Sequence, residues 1–343
     1  MKLLIITQKI DILDDNLGFF HRWVEKFAED LEEVFVICLA QGKHNLPENV
    51  HVFSLGKERG VFKIVQLFLL QKYLLKILPK VDGVFAHMCP IYVVASFPLV
   101  KFFRKKMVLW FLHKSVTWKL KFAAKVANGI LTASEKSCRL KDRKKIKIVG
   151  HGIDVESFKP AEKKLSSDFV VFSAGRIAPS KDLETLIRAV KILVAEKKLI
   201  DLKVEIAGTP LISQEKKYLE KLNILVKENG LENHIKFLGG IPNYEMPGYY
   251  QKADIFINLS RTGSMDKAVL EAMACGTLIL TCNEAYQNIL EEKYLFNKKD
   301  SRNLSEKIMN LKNSRKDVNL RQMVVNNHSL DNLIRTIINE FKI

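Results

Sequence analysis

Short apolar runs alternate with longer stretches of helical period along most of the chain. The first run is 3–6, and a helix-forming stretch covers 19–30. Further runs follow at 34–39, 50–55, 83–86, 107–112, 129–132 and 146–149, with a helix over 61–78. A second series opens at 169–174 and continues at 202–207, 235–238, 255–258 and 277–280. Helices fill the gaps near 181–197, 213–229, 245–251 and 302–312. Apolar runs of four to eight residues between helical stretches predict buried parallel strands with helices on both faces. Two such series in tandem predict an α/β chain of two Rossmann-like domains. The expected boundaries are 1–150, 151–316 and a terminal helical segment over 317–343, with the polar stretch 161–168 as linker. Ligands of open α/β sheets bind beyond the carboxyl ends of the strands, so a cleft between the domains is the expected site.

Composition changes this picture little. The chain has 343 residues, 48% hydrophobic and 27% charged, which fits a folded two-domain protein. No run of 18 uncharged apolar residues is present, and the first residues read as a strand, not as a cleavable leader. The five cysteines form no CxxC pair and no zinc spacing, so reduced thiols in a cytoplasmic protein are expected. Charge adds more. Of a net +17, residues 51–150 hold 21 Lys or Arg against 4 Asp or Glu. Over 59–125 these cations mix with large apolar residues, as in Lys72, Lys76 and Lys80 at four-residue spacing. That mixture suits an anionic membrane surface better than a plain solvent face. No nucleic-acid-reading motif accompanies it, so nucleic acid is not an expected partner.

The candidate chemistry lies in the second half. Residues 253–281 read as strand, small-residue loop, helix, glycine stop and strand. Loop amides of Gly263, Ser264, Met265, Asp266 and Lys267 are placed to meet an anion such as a phosphate. Glu271, in the helix, suits sugar hydroxyls. Over 172–190 a strand ends at Gly175, Arg176 follows, Ser180 is a candidate helix cap and Lys181 opens the helix. Two cations there suit a diphosphate. Gly208, in IAGTP, marks another strand exit, where the missing side chain leaves room for a ligand.

LEAMACG at 270–276, GRIAPSK at 175–181 and GHGIDVESFKP at 150–160 resemble the motifs of the retaining glycosyltransferases of family 4, the group 1 glycosyltransferases. The resemblance implies the GT-B fold, with a terminal helix packing back on the first domain. It implies a UDP- or GDP-linked nucleotide-sugar donor, and a glycan or lipid-linked acceptor in surface polysaccharide or glycolipid assembly. In it Arg176 and Lys181 neutralise the departing diphosphate, Glu271 holds the ribose, and His113, after the strand at 107–112, faces the donor sugar. Gly18 corresponds to the glycine-rich first loop. No cofactor or metal is implied, and no Asp-x-Asp pattern is present to bind one. The family's first motif glutamate, eight residues before Glu271, is replaced by Gly263. Two other readings therefore stay open: a partner subunit that binds a nucleotide sugar without transferring it, and a GT-B epimerase using Asp266.

Overall fold

The computed structural model describes residues 1–161, 168–261, 263–314 and 317–342. They divide into two compact units, Met1–Asp154 with His328–Ile343, and Val155–Asn327. Most of the linker expected at 161–168, and the domain end expected at 316, lie outside the described residues.

The first unit contains β1 (Lys2–Ile10), α1 (Phe19–Asp30), β2 (Glu33–Gln41), β3 (Val50–Ser54), α2 (Lys63–Ile77), β4 (Gly83–His87), α3 (Pro90–Phe102), β5 (Lys106–Trp110), α4 (Trp118–Val126), β6 (Gly129–Thr132) and β7 (Ile146–Ile148). The strands pair in parallel in the order β3-β2-β1-β4-β5-β6-β7. β1 outruns its apolar run because Lys9 and Ile10 still pair with Ala40 and Gln41. Successive side chains of a strand point to opposite faces. Leu4 and Ile6 accordingly join one core with α2, α3 and α4, and Leu3 and Ile5 join another with α1. Burial on both faces is why the inner strands read as near-continuous apolar runs, whereas the edge strands β3 and β7 are half-buried or exposed and carry His51 and Lys147.

The helices α3 and α4 were not expected from the pattern. α3 is apolar nearly all round, so no helical period shows, and its β-branched residues and internal Pro98 argue against a helix. Packing against β4 and β5 overrides those preferences. α4 begins at a Thr117 cap that accepts the Leu120 amide at 3.2 Å.

The second unit contains β8 (Phe169–Ala174), α5 (Leu183–Ala195), β9 (Leu202–Ala207), α6 (Ser213–Glu228), β10 (Ile235–Gly239), α7 (Met246–Lys252), β11 (Ile255–Asn258), α8 (Lys267–Ala274), β12 (Leu278–Thr281), α9 (Ser301–Lys312) and most of α10 (Val318–His328). Its parallel sheet runs β10-β9-β8-β11-β12. The chain leaves β8 toward β9 on one side and later returns to place β11 on the other, which makes β8/β11 the topological switch point. Asp254 ties the entry of β11 to β8 through a 2.8 Å bond from the Val170 amide.

The last helix, α11 (Leu330–Asn339), belongs to the first unit. Leu333, Ile334, Ile337 and Ile338 enter the core beside α1, and the Phe341 ring lies 2.2 Å from where a Gly83 side chain would begin. All five cysteines are free thiols. Among the described residues no helix is long and apolar enough to cross a membrane.

Candidate functional site

At the carboxyl ends of β8, β9 and β11 lies a small hollow, lined by Gly175, Arg176, Lys181, Ala207, Asn258 and neighbouring residues. Its floor is a close crossing of two strand exits. Gly175 (φ 145°) donates to the Ala207 carbonyl at 3.0 Å, and Gly208 (φ 139°) donates to the Gly239 carbonyl at 2.7 Å. A Cβ on Gly208 would stand 1.9 Å from the Gly175 carbonyl oxygen. Glycine at 208 is therefore required by the backbone beside it. The room expected for a ligand there is filled by Gly175.

Arg176 stands at the rim, about half exposed, its Nε 3.3 Å from the buried Glu215 carboxylate. Glu215 is fixed in turn by the Leu211 amide at 2.8 Å. Lys181 lies in a single 3-10 turn before α5, and not within the helix as expected. Ser180 does not cap α5. The cap position is Asp182, in a left-handed conformation (φ 47°), and the Ser180 carbonyl accepts the Arg261 amide at 3.1 Å.

The loop 263–266 brings its own charge to the hollow. Lys181 Nζ is 3.0 Å from Asp266 Oδ2 and 3.3 Å from Ser260 Oγ, and Asn258 donates to the same Asp266 oxygen at 2.9 Å. Burial pushes the Asp266 carboxyl up. The Lys181 charge, with bonds from Asn258, Lys181 and Ser260, outweighs this and holds it below the usual carboxylate range. The loop's carbonyls are held from within the fold. Asn283 donates to the Ser264 carbonyl and Tyr286 to the Asp266 carbonyl, both at 2.7 Å. In a trans peptide the amide opposes its carbonyl, so the N–H groups of Met265 and Lys267 turn the other way. Gly263 supplies a positive φ of 72° at the loop's start, and Met265 is buried beneath it.

Glu271 is buried and takes bonds from Asn243 and Tyr250, each at 3.0 Å, and from Lys267 one helical turn earlier. Tyr250 is itself packed among Phe158, Phe172 and Phe256, and burial next to this carboxylate drives its hydroxyl well above its usual pKa.

The second unit thus gathers Gly175, Arg176, Lys181, Gly208, Gly263, Ser264, Met265, Asp266, Lys267 and Glu271 around one strand edge and the helix behind it. His113 and Gly18 lie in the first unit. His113 is exposed, and its Nδ1 accepts the Ser115 amide at 3.0 Å, which leaves Nε2 to carry the proton of the neutral ring. Gly18 starts α1 at an ordinary φ of −56°, and a Cβ there would stand 2.4 Å from the Asp14 carbonyl oxygen. The supporting residues Asn258, Ser260 and Glu215 were not singled out from the sequence. The first two had a signal: polar residues closing the apolar strand IFINLS.

The family model for glycosyl transferases group 1 matches residues 154–329, about half of the chain. The chain belongs to the group 1 glycosyltransferases. Mannosylfructose-phosphate synthase of Agrobacterium fabrum is 32% identical over 108 residues, covering 32% of this chain and 24% of that protein. D-inositol 3-phosphate glycosyltransferase of Corynebacterium jeikeium is 32% identical over 146 residues, 39% of this chain and 35% of the relative. The chain therefore spans about a third or less of these relatives' length. Over the whole chain the fold is similar to that of Anabaena Alr3699/HepE, solved in complex with UDP, with a TM-score of 0.78, 19% identity and 99% of both chains covered. It is also similar to a glycosyltransferase from Rickettsia africae ESF-5, with a TM-score of 0.74, 17% identity and coverage of 99% and 98%. The group 1 glycosyltransferase thus has the two Rossmann-like units of the GT-B fold.

Proposed function

We propose that this group 1 member is a retaining, metal-independent glycosyltransferase that takes a sugar from a UDP- or GDP-linked donor. The observation that supports this reading most is that Arg176 and Lys181 both line the hollow at the β8/β11 switch point, with Lys181 paired to Asp266 of the 263–267 loop. Two cations beside a glycine-bearing loop match a diphosphate, and they would stabilise the charge that grows on it as the sugar leaves. UDP-glucose bound to Anabaena Alr3699/HepE, a protein of the same fold, agrees with such a donor. Glu271 holds the ribose once Lys267 swings away from it, and His113 serves the donor sugar. The acceptor is a glycan or a lipid-linked glycan of surface polysaccharide or glycolipid assembly. The reaction runs in the cytoplasm, at the inner face of the cell membrane.

Thermal shift against UDP-, GDP-, ADP- and CMP-sugars, followed by donor hydrolysis, tests the reading. A ligand bound only by the folded state raises the melting temperature by mass action. A shift with one donor that Arg176→Ala abolishes, together with hydrolysis, supports transfer. A shift without hydrolysis or transfer favours the partner-subunit reading, which the glycine at 263 motivates. No shift with any donor defeats both.

A further inference from the structure

Both faces of the first unit's sheet carry helices, but the two layers differ outside. α2, α3 and α4 pack in sequence over one face and bury Leu70, Leu74, Tyr92, Val93, Leu120 and Ala123 in one core. Their outer surface stays apolar. Phe62, at the cap of α2, is 80% exposed, Phe68 69% and Ile64 60%. Phe102 at the end of α3 is 76% exposed and Trp118 at the start of α4 65%. A helix apolar on all sides is normally enclosed. Here the segment that forms this layer carries most of the chain's excess of positive charge, and Asp82 is the one carboxylate in the sequence between residues 59 and 125. Lys76, Lys101 and Lys119 each hold their ammonium within 6 Å of an aromatic ring, those of Phe53, Phe97 and Trp118, at 5.9, 5.8 and 5.9 Å. Stems lie on apolar surface and charges at its edge.

We propose that the α2–α4 layer docks on an anionic lipid bilayer, with Phe62, Ile64 and Phe68 entering the acyl boundary and the surrounding lysines meeting headgroup phosphates. Charge decides the occupant. A second copy would bring two strongly basic faces together, whereas an anionic bilayer supplies an apolar layer directly beneath a negative one. The docking face deepens the placement at a membrane proposed above. It is read without donor, and donor binding is read without lipid, so either reading fails alone.

The chain carries its own reporter. Trp23 and Trp110 are 1% exposed, so among its three tryptophans Trp118 faces solvent. The protein is mixed with phosphatidylcholine vesicles, pure or with about 30 mol% phosphatidylglycerol. Cosedimentation with the anionic vesicles only, with Trp118 emission shifted to the blue and quenched by brominated acyl chains, is the expected result. Phe62→Ser with Phe68→Ser should weaken binding at least about tenfold at unchanged melting temperature. Trp118→Phe should remove the optical signal and keep cosedimentation. Absence of binding to anionic vesicles overturns the proposal. So does binding that the double variant leaves intact and that brominated chains do not quench, since that is surface charge alone. A dimer in solution that the double variant disperses also overturns it, by making the face an interface between copies.

Discussion

The turn after β1 and the turn after β8 occupy equivalent places in their sheets, and they spend their charges differently. In the first unit Lys9 lies 3.0 Å from Asp11 and is also paired with Asp14, both in the turn that follows. Asp14 also accepts the amides of Asn16 and Leu17. Burial raises its carboxyl, and the Lys9 and amide bonds bring it below the usual range. The turn is closed by its own acids. In the second unit the turn from Gly175 to Lys181 contains no carboxylate. Arg176 and Lys181 find theirs in other elements, at Glu215 and Asp266. The same fold therefore leaves the cations of one strand end to partners from other elements, and those of the other strand end to its own turn. The difference lies in whether the loop supplies its own counterions, and not in the fold.

The largest effect expected is structural. Gly208→Ala puts a methyl group against the Gly175 carbonyl at a strained φ, so it should destabilise the second unit by about 3 kcal/mol or more in urea unfolding. Gly18→Ala keeps an ordinary φ but crowds the Asp14 carbonyl in a turn that has to shift, and it should cost about 1–2 kcal/mol. Equal losses would mean that the β8 crossing is no tighter than the β1 turn.

Next come the cations. Arg176→Ala or Lys181→Ala should weaken nucleotide-sugar binding about a hundredfold by calorimetry, about 2.7 kcal/mol. Lys9→Ala should leave donor affinity unchanged and cost under about 1 kcal/mol of stability. A donor effect at Lys9 would erase the contrast between the turns.

Acid should separate the units as well. His87 is buried, stacked on Phe20 and bonded through Nδ1 to Thr7. Burial, with His151 nearby, pushes its pKa down to about 3, and burial takes His328 down to about 4. Both are neutral in the folded state, whereas the unfolded chain binds their protons near pH 6.5. Their contribution is complete above that value and is lost as pH falls toward 3 and 4, by up to about 1.4 kcal/mol per pH unit for each. Urea midpoints between pH 7 and 5 should fall accordingly, and His87→Gln should flatten the slope.

The smallest effect concerns Asp266, which pairs with Lys181, the cation proposed above to meet the donor diphosphate. Asp266→Ala should strengthen donor binding about five- to tenfold, near 1 kcal/mol, in the same calorimetry. Weaker binding would assign Asp266 to orienting Lys181 toward the donor.

Much of this was legible in the sequence. Inner strands buried on both faces are mostly apolar, and even the edge strands alternate apolar residues, so each strand was visible as a run. The site's glycines and cations were visible because a strand exit that turns sharply needs glycine, and few residue types carry positive charge. The reason for Gly208 was not legible, since the atom that excludes a side chain there lies 33 positions away. α3 was hidden because its sequence satisfies neither helical period nor helix propensity, and its packing alone accounts for it. The partners of Glu271 were hidden too, as Asn243 and Tyr250 reach it from another helix and turn.

The sequence by itself determined two parallel-sheet units, the strand ends that carry the candidate site residues, and a basic, apolar-rich segment in the first half. Local pattern encodes these, because period, turn chemistry and charge are properties of neighbours along the chain. The tertiary structure alone decided which carboxylate meets which cation, and that α2, α3 and α4 share one layer, so that residues as far apart as Phe62 and Trp118 lie on the same side of the sheet. Those outcomes depend on strand order and on the side of the sheet to which each crossover goes, which no stretch of neighbouring residues specifies.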